Sequence, residues 1–338
     1  IFPLIISGCA NLLGERSPGR VVTPQEFSVI DQSGLPLSLQ FSDDECRAAP
    51  ELGFAVEEIA GGRFGSACIS LQKSRSVVDS TALVSLHIWC LLQDHNLSAA
   101  QQLLNTAIAE FAVDQHLAYS GALVQEQSGN PQLAYSLYSD LFAINHETII
   151  LQACARTALA SAQAQRCLDC LDQLLLVTEV TPKHLTMRAA AFALLHRYSE
   201  SMVLLVHMLE DWPNDGELLL QTALVAYDYA AASSSLELYV DAAILLRRIT
   251  ELDPQNAAVF LPLARCYAAS GDFNESTLAF MRCLELEPNN VAASHELSDL
   301  YMTYNDKSLA QKILRQLLNQ PISPVARQQT THKLSQLD

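Results

Sequence analysis

The sequence predicts an all-α protein built from repeated helical hairpins. Half of the 338 residues are hydrophobic while only 12 are glycine, a composition that favours helices. Apolar residues recur at the spacing i, i+3, i+4, i+7 of one helix face, as at Phe260, Leu263, Ala264 and Tyr267. Similar segments return at intervals close to 34 residues, which indicates a repeat architecture. Because one hairpin cannot bury its own apolar face, neighbouring hairpins are expected.

The clearest single unit runs from Ala257 to Asn290. Two apolar segments flank Gly271 and Asp272, and Pro288 closes the unit. The unit resembles the tetratricopeptide repeat family, whose 34-residue pattern prefers particular residue types at positions 4, 7, 8, 11, 15, 20, 24 and 32. Those positions hold Phe260, Leu263, Ala264, Tyr267, Gly271, Ser276, Phe280 and Pro288. The resemblance implies a right-handed superhelix, an α-solenoid of about eight helix–turn–helix repeats.

The same pattern places eight repeats in an array over residues 48–323. Their starts are predicted at 48, 81, 115, 148, 182, 216, 257 and 291, and one interval is seven residues longer. We expect that insertion in the turn around residues 232–235. Position 20, where the two helices of a hairpin touch, holds only small residues: Ala67, Ala100, Ala134, Cys167, Ser201, Ala242, Ser276 and Ala310. Position 24, which packs into the hairpin core, holds only large apolar residues: Leu71, Leu104, Tyr138, Leu171, Leu205, Leu246, Phe280 and Leu314.

Residues 324–338 are predicted to form a C-terminal capping helix. Val325, Thr331 and Leu334 are expected to face back onto the array, with polar residues outward. A terminal repeat needs such a polar cover because no further repeat buries its apolar face.

The chain opens with an apolar stretch that ends at Cys9. Residues 6–9, Ile-Ser-Gly-Cys, resemble the bacterial lipobox, in which the cysteine is lipidated and becomes the mature N-terminus. The resemblance implies that residues 1–8 are the remnant of a signal peptide and that residues 9–47 are the lipidated Cys9 and a linker. Acyl chains on Cys9 would hold the protein at a membrane, and Ala10 in place of Asp points to the outer membrane. The alternative is a frayed apolar N-terminus with an ordinary buried cysteine.

The formal net charge is −17 at pH 7. Nucleic-acid binding needs a basic surface, so this charge argues against a nucleic-acid partner. No apolar run of about 20 residues occurs, so no transmembrane helix is expected.

The nine cysteines and nine histidines are the candidates for chemistry. Cys167 and Cys170 form the only CxxC pair, but Cys167 occupies position 20, where a buried structural cysteine is expected. A zinc site would need a second ligand pair at a set spacing, and the sequence has none. The histidines are dispersed, and no motif for catalysis or phosphate binding occurs. We therefore expect no catalytic residues, no metal and no cofactor.

In tetratricopeptide repeats, first helices line a concave surface through positions 2, 5, 9 and 12. The resemblance therefore implies a mostly apolar concave groove, which we expect to bind a peptide or a helix of a protein partner. The expected groove residues are Leu52, Val56, Trp89, Leu92, Tyr119, Leu123, Arg156, Leu159, Leu220, Leu224, Tyr227, Leu261, Arg265 and His295. Two alternatives stay open: consecutive first helices pack on one another, or residues 20–42 fold back into the groove.

Three functions are consistent with these patterns. The first is a non-catalytic scaffold, an outer-membrane lipoprotein facing the periplasm that assists assembly of a pilus, secretion or polysaccharide-export machine. The second is a soluble intracellular adaptor that binds a peptide or helix in its groove, without lipid and with reduced cysteines. The third is a redox protein using Cys167 and Cys170, which requires an exposed pair with a lowered thiol pKa.

Whether disulfides form depends on the compartment that each of these functions implies. In an oxidising compartment, bridges between Cys266 and Cys283 or between Cys46 and Cys68 are chemically allowed.

Overall fold

The computed structural model describes residues 48–78 and 80–337, and within them the chain forms 17 helices and no strand. The predicted signal-peptide remnant, residues 1–8, and the segment 9–47 with Cys9 lie outside the described residues. The chain divides into two compact units at Glu179 and Val180. Each unit is built from helical hairpins, so the predicted all-α repeat fold is confirmed. Among the described helices, none is long and apolar enough to cross a bilayer.

The first unit contains four hairpins within its described residues. Their helices are α1 (Glu51–Ala60), α2 (Phe64–Arg75), α3 (Thr81–Gln93), α4 (Leu97–Glu110), α5 (Gln115–Gln127), α6 (Pro131–Asn145), α7 (Thr148–Ala160) and α8 (Ala164–Leu175).

The second unit contains four hairpins and one final helix. Its helices are α9 (Pro182–Leu194), α10 (Tyr198–Asp211), α11 (Gly216–Ser233), α12 (Leu236–Leu252), α13 (Ala257–Ser270), α14 (Phe273–Leu286), α15 (Val291–Thr303), α16 (Lys307–Leu318) and α17 (Pro324–Gln336).

Every described hairpin closes on its small residue at position 20. All eight of these side chains, from Ala67 to Ala310, are fully buried. In two hairpins the contact is a hydrogen bond between the helices. The Ser201 hydroxyl donates to the Ala189 carbonyl oxygen at 2.8 Å, and the Ser276 hydroxyl donates to that of Ala264 at 2.9 Å. Because the side chain lies directly against the opposing backbone, a larger residue would force the helices apart.

The large residues at position 24 fill the space beside this contact. None of the eight is more than 6% exposed, and Tyr138 and Phe280 are among the largest fully buried side chains. The alternation of a small and a large residue one helical turn apart therefore decides how the two helices of each hairpin pack.

Each hairpin turn contains one residue in the left-handed region. Three of these residues are glycine, which adopts a positive φ without steric cost. The eight residues are Gly62, His95, Gly129, Ala162, His196, Ser234, Gly271 and Asn305. The three glycines and five other residues show that the turn geometry persists where the family's preferred glycine is missing.

The seven additional residues of the sixth repeat do not lie in its turn. Only Ser234 and Ser235 separate α11 from α12, and these helices are 18 and 17 residues long. Seven residues make about two turns of α-helix, so each helix gains about one turn and its apolar face stays in register. The expectation of a long turn is wrong because a helical extension leaves no backbone N–H or C=O unpaired.

The C-terminal helix α17 packs through a face different from the predicted one. Val325 is 65% exposed and Thr331 is also exposed, whereas Ala326 and Thr330 are buried. The Thr330 hydroxyl hydrogen-bonds His295 Nε2 at 2.9 Å, and Lys333 Nζ reaches Asp299 at 2.7 Å. Side-chain hydrogen bonds orient this helix because its sequence has little apolar periodicity. Leu334 is half-buried, in agreement with its predicted direction.

Helix α3 is buried around its whole circumference. Every side chain from Ala82 to Cys90 is buried. Burial, and then the positive charge of Arg75, lowers the pKa of His87 to about 4. His87 Nδ1 and Trp89 Nε1 have no hydrogen-bond partner among the described residues. The His87 imidazole is therefore neutral at pH 7.

Replacing Ala162 with glycine should stabilise the first unit. Ala162 has a φ of 57°, and the left-handed conformation costs an L-residue roughly 1 kcal/mol. The greater entropy of glycine in the unfolded chain offsets part of this gain, so we expect the free energy of unfolding to rise by about 0.5 kcal/mol. Urea unfolding followed by Trp89 fluorescence in a Trp212→Phe background measures it. Ala160→Gly, at the last residue of α7, is the matched control and should destabilise, so equal shifts for both variants would contradict the assignment.

The first unit should lose stability on acidification because of His87. Its folded pKa of about 4 lies below its unfolded value of 6.5, so below pH 6.5 the unfolded chain binds a proton that the folded chain excludes. The free energy of unfolding should fall by about 2 kcal/mol between pH 7.5 and 5 from this residue alone. His87→Gln should show a correspondingly shallower pH dependence in urea unfolding. Identical pH dependence in both proteins would show that His87 does not cause it.

Candidate functional site

The predicted groove residues of the first unit do not line an open surface. The six apolar members are at most 7% exposed, and they are Leu52, Val56, Trp89, Leu92, Tyr119 and Leu123. Buried side chains cannot contact a partner directly, so this part of the predicted groove is corrected. For α3 and α5, the structure matches the alternative stated above, in which consecutive first helices pack on one another instead of lining an open groove.

Two small polar residues explain the close packing of α3 on α5. The Ser85 hydroxyl donates to the His116 carbonyl oxygen at 2.9 Å and is hydrogen-bonded to the Ser120 hydroxyl. Both serines are fully buried. Because neither side chain is large, the two helices approach until their apolar neighbours, including Tyr119, are covered.

Arg156 is held by the preceding hairpin of the first unit. Its Nη2 donates to Glu126 Oε2 at 2.8 Å, its Nε contacts Oε1 of the same carboxylate, and the Tyr138 hydroxyl donates to Oε2 at 3.2 Å. Burial works to lower the pKa of Arg156, but the hydrogen bonds and charge of Glu126 outweigh it and raise the pKa. The Arg156 guanidinium is thus held in one orientation between two neighbouring first helices. Leu159, one turn further along α7, is half-buried.

The first helices of the second unit leave their predicted groove residues accessible. Leu224 of α11 is 42% exposed, and Leu220, Tyr227 and Leu261 are half-buried. We call this surface, with Arg265 of α13, the first-helix face of the second unit. The Tyr227 ring contacts the Tyr239 ring at a centroid distance of 5.3 Å. That contact limits the orientations open to the Tyr227 ring.

Arg265 is oriented on this face by Glu296 of α15. Its Nε and Nη2 donate to the two carboxylate oxygens at 2.8 and 2.6 Å, in a bidentate pair. The hydrogen bond and charge of Glu296 raise the pKa of the arginine. The two side chains are 39% and 34% exposed, so solvent and ligands reach both groups.

His295 lies at the end of the same face, beneath α17. Burial, and then the positive charge of Lys333, lowers its pKa. Its Nε2 is hydrogen-bonded to Thr330 and its carbonyl oxygen accepts from Lys333 Nζ. His295 therefore belongs to the contact with the final helix rather than to the accessible surface.

Within the described residues, the cysteines are buried and unpaired. Seven lie in the described residues, Cys68, Cys90, Cys154, Cys167, Cys170, Cys266 and Cys283, and all are free thiols. Cys266 and Cys283 are therefore not bridged, and Cys46 lies outside the described residues. Among the described His, Cys, Asp and Glu side chains, no group of three has the arrangement of a metal site.

The CxxC pair lacks the exposure that a redox function requires. Cys167 is fully buried, and burial raises its pKa to about 12. A hydrogen bond with Cys154 lowers the pKa of Cys170, but Cys170 is only 8% exposed. A nucleophilic thiol needs both thiolate character and access, and neither cysteine of the pair has both.

Sequence reasoning missed the two bidentate ion pairs that join neighbouring repeats. Each joins an arginine at position 9 of one repeat to a glutamate about 30 residues away in a neighbouring repeat, as with Arg156 and Glu126 or Arg265 and Glu296. The sequence signal was an opposite charge on an adjacent first helix, the preceding one for Arg156 and the following one for Arg265. It was not decisive, because the repeat spacing alone does not say which positions of two first helices face each other.

Comparisons with known proteins identify the fold. No protein-family model and no curated protein matches the sequence. A tetratricopeptide repeat protein from Parabacteroides merdae superposes with a TM-score of 0.55 at 16% identity, over 75% of this chain and 98% of that one. The Cut9–Hcn1 heterotetramer of APC/C gives a TM-score of 0.50 at 13% identity, over 85% of this chain and 55% of the other. At these identities the likeness concerns the fold alone, and the fold of this chain is that of the tetratricopeptide repeat proteins.

Proposed function

We propose that this chain is a non-catalytic scaffold for protein–protein interaction, and that the first-helix face of its second unit binds a peptide or helix of a partner. The observation that supports this most directly is the accessible Leu224, 42% exposed beside half-buried Leu220, Tyr227 and Leu261. Apolar side chains left accessible on neighbouring helices are the anchors that peptide and helix recognition uses.

Arg265 adds a polar contact to this apolar face. Its pair with Glu296 uses Nε and Nη2, so Nη1 takes no part in it. A guanidinium held in one orientation loses little freedom when it donates to a further acceptor. A peptide carbonyl or carboxylate oxygen is the acceptor that fits such a donor, while the ligand's apolar side chains contact Leu224 and Leu261.

Leu224→Glu should abolish peptide binding at this face without unfolding the protein. A random peptide library displayed on phage and selected on the full chain supplies the ligand, and fluorescence anisotropy measures its affinity. A buried carboxylate facing an apolar anchor should weaken binding by at least about tenfold. Leu236→Glu, the same substitution at a 63% exposed position of α12, is the matched control and should bind like the parent. Selected peptides that bind both variants equally would exclude this face as the site.

We also propose that the scaffold is an outer-membrane lipoprotein facing the periplasm, anchored through lipid on Cys9, where it assists assembly of a pilus, secretion or polysaccharide-export machine. The support is the Ile-Ser-Gly-Cys sequence at residues 6–9 with Ala10 behind it. Acyl chains would supply the membrane affinity, at about 0.8 kcal/mol for each buried CH₂.

Expression of the full-length gene should yield a chain that begins at Cys9 and carries a diacyl or triacyl group. The intact mass of the N-terminal fragment measures this directly, and Cys9→Ser should remove both the lipid and the membrane association. An unmodified chain that retains Ile1 would remove the lipoprotein proposal.

The second candidate is a soluble intracellular adaptor with the same binding face. The seven buried free thiols favour it, because unpaired cysteines are uncommon in oxidising compartments. The mass measurement on the N-terminal fragment distinguishes the two candidates, whereas the Leu224 variant tests the binding face that both share.

A further inference from the structure

The second helices of three consecutive hairpins in the second unit carry the same surface stripe. In α10, α12 and α14, positions 19 and 29 hold acidic residues and position 22 holds an apolar residue. Position 25 is apolar in α10 and α14 and is an arginine in α12. Spacings of three, three and four residues put all four side chains on one helix face. The members of this second-helix stripe are Glu200, Val203, Val206 and Glu210 in α10; Asp241, Ile244, Arg247 and Glu251 in α12; and Glu275, Leu278, Met281 and Glu285 in α14.

The apolar members of the stripe are highly exposed. At position 22, Val203, Ile244 and Leu278 are 70%, 58% and 60% exposed, and at position 25 Val206 and Met281 are 48% and 46% exposed. Single exposed apolar residues are normal on a protein surface. Five of them at equivalent positions of three successive second helices make a repeated apolar row, and repeated exposure of this kind points to an interaction surface.

The remaining second helices do not repeat this stripe. In α2, Ile69 occupies position 22 and is 59% exposed, but serines at 66 and 76 stand where the stripe has carboxylates. In α16, Lys312 occupies position 22. The stripe is therefore not a general property of the repeat.

The surroundings of the stripe are strongly acidic. Residues 197–290 contain 14 acidic and five basic side chains. Each of the five arginines is engaged within the chain: Arg197 with Glu200, Arg247 with Tyr267, Arg248 with Asn214, Arg265 with Glu296 and Arg282 with Glu285. Arg197 and Arg282 thus hold two carboxylates of the stripe, Glu200 and Glu285, which leaves Asp241, Glu251 and Glu275 as the carboxylates that border the apolar row. A second copy of the chain, itself with a net charge of −17, would be repelled by this surface.

We propose that the second-helix stripe docks an amphipathic helix of a partner protein, with an apolar face bordered by lysine or arginine. The apolar face packs on Val203, Ile244 and Leu278, and the basic borders meet Asp241, Glu251 and Glu275. This site lies on second helices, so it goes beyond the first-helix face and does not depend on it.

A designed peptide tests the recognition chemistry. The probe is a fluorescein-labelled, amidated helix of about 18 residues, roughly 27 Å long, with leucines on one face and lysines elsewhere; a counterpart has glutamates in place of the lysines. Fluorescence anisotropy with the full chain should show binding of the lysine peptide, weakened by salt, and no binding of the glutamate peptide.

Neutral substitutions separate docking from simple charge attraction. The double variant Ile244→Ser and Leu278→Ser keeps the charge and should weaken binding of the lysine peptide by at least about tenfold. Ile69→Ser, at the equivalent and equally exposed position of the first unit, is the matched control and should stay within about twofold of the parent. Glu251→Gln with Glu275→Gln should reduce the dependence of affinity on salt.

Several results would overturn the proposal. They are absence of binding by the lysine peptide, equal binding of both peptides, or an affinity that the double serine variant leaves unchanged. A dimer of the chain that the double serine variant abolishes, seen by sedimentation, would assign the surface to a second copy instead. Leu224→Glu should leave binding of the lysine peptide intact, so failure here and failure of the first-helix face are separate outcomes.

Discussion

The helix–helix contact at position 20 of each hairpin is the one on which the rest of the structure depends. A small residue at position 20 lies against the backbone of the first helix, and the hydrogen bond from Ser201 to the Ala189 carbonyl oxygen shows how near the two helices are. At this distance the large residue at position 24 enters the gap beside it and is fully covered, as Tyr138 and Phe280 are. Without the small residue, neither the hairpin core nor the packing of the next hairpin would form.

The sixth repeat shows how strictly this contact is kept. Its seven additional residues lengthen α11 and α12 by about one turn each, and Ala242 still occupies the contact, fully buried. An insertion that was not close to a whole number of turns would have rotated Ala242 away from its partner helix. The helical period therefore limits which insertions this fold tolerates.

The two units use the same repeat and present different surfaces. In the first unit, Ser85 and Ser120 allow α3 and α5 to approach, and the apolar first-helix residues are covered. In the second unit, Leu224 remains accessible and Arg265 is oriented by Glu296. The second helices there add a repeated acidic and apolar stripe centred on Ile244. The second unit thus has two candidate surfaces for partner proteins, one on each set of helices.

The sequence by itself determined the fold class and the hairpin core. A 34-residue period with small residues at position 20 and large ones at position 24 is a local pattern, and each hairpin buries these second-helix residues against its own first helix. It did not determine the accessible face. Trp89 is buried and Leu224 is exposed, because neighbouring first helices approach to different distances in the two units. The size of the side chains between those helices, serine or larger, sets that distance in the tertiary structure. The face of α17 also required the structure, because hydrogen bonds to His295 and Asp299 orient it and its apolar pattern is weak.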